Sequence, residues 1–266
     1  VVVSHCLFET FKFKFPEIVN FPTAFLGNGT FAVGVFFAIS GYVLTIRRWR
    51  NPGNPPLYLS FVRRYIRLTL PIIGATFLAW ALISLGLTPT KGTHEVEQVT
   101  SWYKAFVGFE ADFFRAWFFA LFGTYGFLWD NNYNPFLWTM MIELWGALII
   151  FAASQHDRYL RDPYMPLLFL VVIVDFIFPI AACFFVGALI AVAEKDGYVL
   201  KPSILLNRIA TVLLAVCLVL AALVLLNGKS LQMLAILGLG VFLSVRYSET
   251  AQRFLNAPLS QFMGRI

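Results

Sequence analysis

A chain of 266 residues with 59% apolar and only 13% charged side chains is too poor in charge to cover a soluble surface, since an average soluble chain carries roughly 25% charged residues. The same balance excludes intrinsic disorder, and three cysteines exclude a disulfide scaffold. The formal net charge of +6 fits the cytosolic loops of a membrane protein better than a nucleic-acid partner. The fold class predicted is therefore all-α: a polytopic transmembrane helix bundle in a lipid bilayer.

The chain opens Val1-Val2-Val3-Ser4-His5, with neither the charged region nor the cleavage site of a signal peptide. Residues 1–8 read as the tail of a first hydrophobic helix, and both chain ends read as cut. A crossing needs about 20 apolar residues. By that measure residues 29–46 form a span, residues 68–87 another, and the polar stretch 88–112 a loop between spans. Residues 113–129 are aromatic and apolar but carry Arg115, and 136–154 are a clear span. Segments 164–178 and 179–193 are short and meet at Phe178-Pro179, a helical hairpin with a tight turn. Residues 204–226 and 231–245 complete a set of about eight hydrophobic segments. Cys183 and Cys217 lie inside apolar runs and read as buried thiols; Cys6 follows one.

Lys and Arg set the orientation. Arg47, Arg48, Arg50, Arg63, Arg64 and Arg67 flank the stretch 47–65, which is therefore cytosolic and puts 88–112 outside. If 113–129 does not fully cross, the basic residues from Arg158 to Arg265 also face the cytosol, Lys229 excepted. The rule thus favours a re-entrant or interfacial segment at 113–129.

Several residues carry chemistry. An ionisable group at His5 is costly within a membrane unless it faces a cavity or partner; it is either a general base near neutral pH or an interfacial histidine at a helix end. The run Phe36-Phe37-Ala38-Ile39-Ser40-Gly41-Tyr42-Val43-Leu44 brings small residues that permit close helix approach. Arg63 and Arg67 are four apart and share a helical face, with Arg64 three from Arg67. Three guanidiniums at the cytosolic surface suit a polyphosphate, which the planar fork grips bidentately, or they anchor the helix at lipid headgroups. Glu143 lies in the apolar run that follows Pro135-Phe136-Leu137-Trp138-Thr139. A carboxylate there needs a proton or a partner, either His5 or an arginine. Asp175 reads as a group at the external interface, and His94 and His156 as solvated. No Cys/His spacing suggests zinc, and neither a phosphate loop nor a nucleophile elbow is present.

Taken in order, these segments resemble the membrane acyltransferase family 3. The match runs from the membrane histidine through Phe-Phe-x-Ile-Ser-Gly-Tyr, Arg-Arg-x-x-Arg-Leu-x-x-Pro and Leu-Trp-Thr-x-x-x-Glu to Phe-Phe-Val-Gly-Ala-Leu-Ile-Ala. The form at 138–146 looks closest to a filamentous-fungal branch. The resemblance implies one domain over 1–266, part of a bundle of about ten helices. It implies an O-acyltransferase that moves an acyl group, acetyl by default, from cytosolic acyl-CoA to a hydroxyl of a sugar, lipid or secondary metabolite. It also implies roles: His5 and Glu143 as catalytic residues, Arg63, Arg64 and Arg67 as acyl-CoA-binding, with acyl-CoA a co-substrate and neither cofactor nor metal. The family's arginine eleven positions before the histidine falls before Val1. Where bacterial members often have a second acid, this chain has Leu144, and where fungal ones often have arginine, Trp145. A polytopic transporter or flippase would also carry intramembrane His, Glu and Asp, and a non-catalytic remnant of the family is the third reading.

Overall fold

The computed structural model describes residues 27–50, 56–87, 109–126, 133–156, 164–198, 200–201, 203–227 and 230–263. These residues form helices and connecting turns, with no strand among them. The helices are α1 (Gly29–Arg50), α2 (Leu57–Ser84), α3 (Phe113–Leu121), α4 (Trp138–His156), α5 (Tyr164–Ile177), α6 (Pro179–Lys195), α7 (Ile204–Asn227), α8 (Leu231–Tyr247), α9 (Glu249–Leu255) and α10 (Pro258–Met263). Single 3-10 turns at Gly123–Tyr125 and Pro135–Leu137 precede α4. Two compact units result: Val1–Asn51 with Asp157–Ile266, and Pro52–His156.

Among the described residues, four helices are long and apolar enough to cross a bilayer: Gly29–Arg47, Leu57–Ser84, Pro135–Ala153 and Ile204–Val224. The pair Leu231–Tyr247 and Glu249–Leu255, bent by 88°, makes a fifth if counted as one span. That is fewer than the eight hydrophobic segments the sequence suggests. The first of those, 1–8, lies outside the described residues. Among its described residues, segment 113–129 holds a nine-residue helix, about 14 Å at 1.5 Å per residue and too short to cross, followed by a single 3-10 turn. Helices α5 and α6 have 14 and 17 residues, separated at Phe178, where Pro179 opens α6 as its first residue. Membrane helices present their apolar side chains outward, as lipid tails demand; Phe176 is 92% exposed and Leu70 64%.

Local signals fix the helix ends. Asn28 caps α1, its side-chain oxygen accepting from the Phe31 amide at 3.0 Å while its amide donates to the Ala221 carbonyl at 3.1 Å. Asp112 caps α3 and Ser230 caps α8. After α2 and α6 the chain turns through Gly86 and Gly197, both at positive φ, the left-handed stop that glycine makes cheap. The second span starts at Leu57, not 68. Hydropathy marks where lipid begins, whereas the helix itself runs on through Arg63, Arg64 and Arg67.

In the first unit α1, α6 and α8 pack on one another, and glycines set the spacing. A Cβ on Gly41 would collide with the Phe184 carbonyl, and one on Gly187 with the Ala38 carbonyl. Gly238 packs tightly against the α1 backbone, a Cβ there meeting Val35 N at 3.1 Å, and Gly34 lies in ordinary contact with α8. The register shows direction. Gly34 lies by Cys183 and Ala235, and Tyr42 by Gly187 and Phe242, so the three helices run parallel. Shared direction constrains the topology: if α2, α4 and α5 each cross once, α3 does not. The helices end together near Arg47, Lys195 and Arg246, which the positive-inside rule puts in the cytosol. Cys183 and Cys217 are free and buried, matching the sequence reading.

Candidate functional site

The second unit is built from α2, α3, α4 and the two 3-10 turns. Its centre is an ion pair: Arg64 of α2 donates from Nη2 to Oε2 of Glu143 on α4. Both side chains are buried, Glu143 at 2% exposure and Arg64 at 9%. An acid embedded in an apolar helix calls for a counter-charge, and of the two partners open on sequence grounds, the structure supplies the arginine. Arg63 and Arg67 are exposed. The three arginines therefore divide, one turned into the unit and two outward.

Hydrogen bonds around this pair tie the unit together. The Tyr65 hydroxyl donates to the Leu121 carbonyl at 2.7 Å, and Thr69 and Tyr125 share a hydroxyl–hydroxyl bond at 2.8 Å. Trp145 donates its indole N–H to the Tyr125 carbonyl at 2.9 Å. It anchors the 3-10 turn against α4, while the charge at Glu143 is met from α2. Apolar packing of Ile72, Ala120, Tyr125 and Leu144 fills the space between.

At the entry to α3, Tyr133 clips the chain. Its hydroxyl donates to the Asp112 carbonyl at 2.8 Å and accepts from the Asp112 amide at 3.1 Å. Burial pushes the Tyr133 phenol above its usual range, with the bond to Asp112 offsetting part of the rise.

The first unit holds a second polar cluster, which the sequence reading missed. The Tyr42 hydroxyl donates to Glu194 at 2.5 Å and accepts from Arg246 at 2.5 Å; Arg246 also pairs with Glu194 at 2.5 Å. The guanidinium lies 4.9 Å from the Tyr42 ring centroid. Glu194 sits in the last turn of α6, where the helix dipole disfavours an anion, so a cation had to be close. That misplaced acid was the available signal. Its partners, however, lie 152 residues before it and 52 after.

His5 and His94 lie outside the described residues, as does the His156 side chain. Asp175 is half-buried on α5. Among the described residues no group of three or more His, Cys, Asp or Glu side chains gathers as a metal site would.

Comparison with known families finds one match, the acyltransferase 3 family, described as an acyltransferase domain, over residues 1–266. No curated protein and no solved structure matches the chain. An all-helical multi-pass membrane architecture and a family match along the whole length agree: the chain belongs to the acyltransferase 3 family of membrane acyltransferases.

Proposed function

We propose that the protein is an O-acyltransferase that moves an acetyl group from cytosolic acetyl-CoA to a hydroxyl of a sugar, lipid or secondary metabolite. The observation that carries this reading is the family match over residues 1–266. The buried Arg64–Glu143 pair supports it, because a buried ion pair is often no more stabilising than apolar residues of the same volume. Its presence inside a membrane unit marks function.

In this reading His5 takes the proton of the acceptor hydroxyl. The oxygen attacks the thioester carbonyl, the C–S bond breaks, and the proton passes to the departing sulfur of CoA. Alternatively, the imidazole attacks first and the C–S bond breaks to release the CoA thiolate; the hydroxyl oxygen then attacks the acyl-imidazole, the acyl C–N bond breaks, and the hydroxyl proton ends on the CoA sulfur. Arg63 and Arg67, outward on α2, contact the CoA phosphates, while Arg64 holds Glu143 in place.

The test is CoA release by the full chain in nanodiscs, with acetyl-CoA and a panel of hydroxyl acceptors. A positioned base contributes about 10²–10⁴-fold, so His5→Ala lowers turnover at least about 100-fold with membrane insertion intact. Full activity in that variant removes His5 from the mechanism. Movement of the panel compounds across the bilayer without CoA release indicates a transporter. Arg67→Ala removes a charge-assisted bond worth roughly 1.5–3 kcal/mol. It therefore raises KM for acetyl-CoA tenfold or more with kcat little changed; an unaltered KM leaves Arg67 as a headgroup anchor.

A further inference from the structure

Helix α8 ends in a fixed elbow. At Ser248 the chain bends by 88° and continues as α9, seven residues that add almost no depth along the α8 axis. Polar bonds hold the turn. Ser248 is fully buried; its hydroxyl accepts from the Ala251 amide at 3.3 Å and shares a hydroxyl–hydroxyl bond with Thr211 of α7 at 2.8 Å. The Glu249 amide donates to the Asn207 side-chain oxygen of α7 at 2.9 Å, and the Gln252 side chain donates to the Arg246 carbonyl. The Ser260 hydroxyl of α10 donates to the Phe254 carbonyl at 2.8 Å, so α10 is tied to α9. Helical periodicity sorts α9 into two faces: Ala251, Phe254 and Leu255 on one, Glu249, Thr250, Gln252 and Arg253 on the other. The protein leaves the apolar side uncovered, with Phe254 71% exposed, Leu255 48% and, on α10, Phe262 60%.

We infer that α9 and α10 form an amphipathic element that lies in the plane of the cytosolic leaflet, with Phe254, Leu255 and Phe262 in the acyl boundary and Arg253 among the headgroups. Direction, level and charge select a lipid surface. Helix α8 runs parallel to the spanning helix α1, so a right-angled bend lays α9 along the bilayer plane. The bend comes directly after Arg246 and Tyr247, at the end of the bundle that the positive-inside rule puts in the cytosol. Helix α7 begins at this same end and also exposes apolar residues there, Ile204 at 76% and Leu205 at 68%, so the uncovered face of α9 continues the lipid-facing surface of the bundle. Arg208 and Arg253 are exposed beside it, and the cytosolic leaflet is the anionic one. A short helix with an apolar face and a polar, basic one settles at the headgroup–acyl boundary rather than crossing. The consequence is positional. Gln252 holds the Arg246 carbonyl, so the in-plane element fixes the depth at which Arg246 meets Tyr42 and Glu194.

The test places a bimane fluorophore on Phe254→Cys, on the apolar face, and on Thr250→Cys, on the polar face, in the full chain in nanodiscs of mixed neutral and anionic lipid. Cys183 and Cys217 are buried, and the parent chain labelled alongside gives the background. Leu255→Cys replaces Phe254→Cys if that variant fails to fold. Quenching is compared for lipids with a nitroxide near the headgroup, lipids with a nitroxide at the chain end, and aqueous iodide. An element seated about 5–10 Å into the headgroup–acyl boundary is quenched about twofold more by the shallow nitroxide than by the deep one. Iodide then reaches the label at position 250 and not the one at 254. Three results overturn the inference. Deep quenching equal to or stronger than shallow means that α8 and α9 cross as one broken span. Iodide quenching at both positions, with neither nitroxide effective, puts the element in water. A label at 254 shielded from iodide and from both nitroxides means that protein, a second copy or another chain, covers the face.

Discussion

Glu143→Ala destabilises the protein by about 3–5 kcal/mol, the cost of leaving a buried charge unpaired. The reason lies in what remains. Arg64 is 9% exposed, and its guanidinium keeps its charge in any protein environment. With Glu143 gone it sits buried between α2 and α4 without the counter-ion it has among the described residues. Arg64→Met is milder, because the carboxyl left behind can take up a proton. The double variant Arg64→Met/Glu143→Leu is milder still, since two apolar side chains of similar volume replace an ion pair whose desolvation consumed most of its attraction. Thermal unfolding in nanodiscs checks the order. Glu143→Ala lowers the melting temperature on the order of 10 °C, Arg64→Met less, and the double variant least. If the double variant melts as low as Glu143→Ala, the pair is held by something other than mutual neutralisation. Stability and activity separate here: under the proposed function the double variant folds and transfers nothing.

How far the sequence carries differs by feature. The spans at 29–46 and 204–226, the helix at 231–245, and the break at Phe178-Pro179 are legible because each is bounded by charge, polar turn or proline. The start of α2 is not, since Leu57 to Arg67 has helical geometry without the apolarity that a hydropathy window detects. Glu143 is legible because a carboxylate in an apolar run has few innocent explanations. Its partner is not. Spacing places Arg63 and Arg67 on a common face but leaves open which arginine meets α4, a question only tertiary packing answers. The triad of Tyr42, Glu194 and Arg246 depends on three helices running parallel, and that direction follows from crossing parity, which in the sequence hangs on 113–129.

The same parallel packing makes Gly41→Ala the most damaging of the conservative substitutions. A methyl at Gly41 points into the backbone carbonyl of Phe184, and one at Gly187 into that of Ala38. Neither obstacle is a side chain that could change rotamer; both are helix backbone. Overpacking a core with a flexible neighbour costs typically 1–3 kcal/mol. Here α1 and α6 must separate along their length, so more than about 3 kcal/mol is expected. Separation also pulls Tyr42 away from Glu194 and Arg246. Gly74→Ala is the matched control. It sits in the spanning helix α2 with nothing near its would-be Cβ, and alanine is the better helix former by about 1 kcal/mol. Gly41→Ala and Gly187→Ala therefore lose monodisperse protein on size-exclusion chromatography and melt well below wild type, while Gly74→Ala matches or exceeds it. A Gly41→Ala protein with wild-type melting would mean that α1 and α6 do not meet backbone to backbone. The tight crossing explains why small residues recur at Gly34, Ala38 and Gly41 of α1: they let three parallel helices approach until Tyr42 of α1 reaches the charges that end α6 and α8.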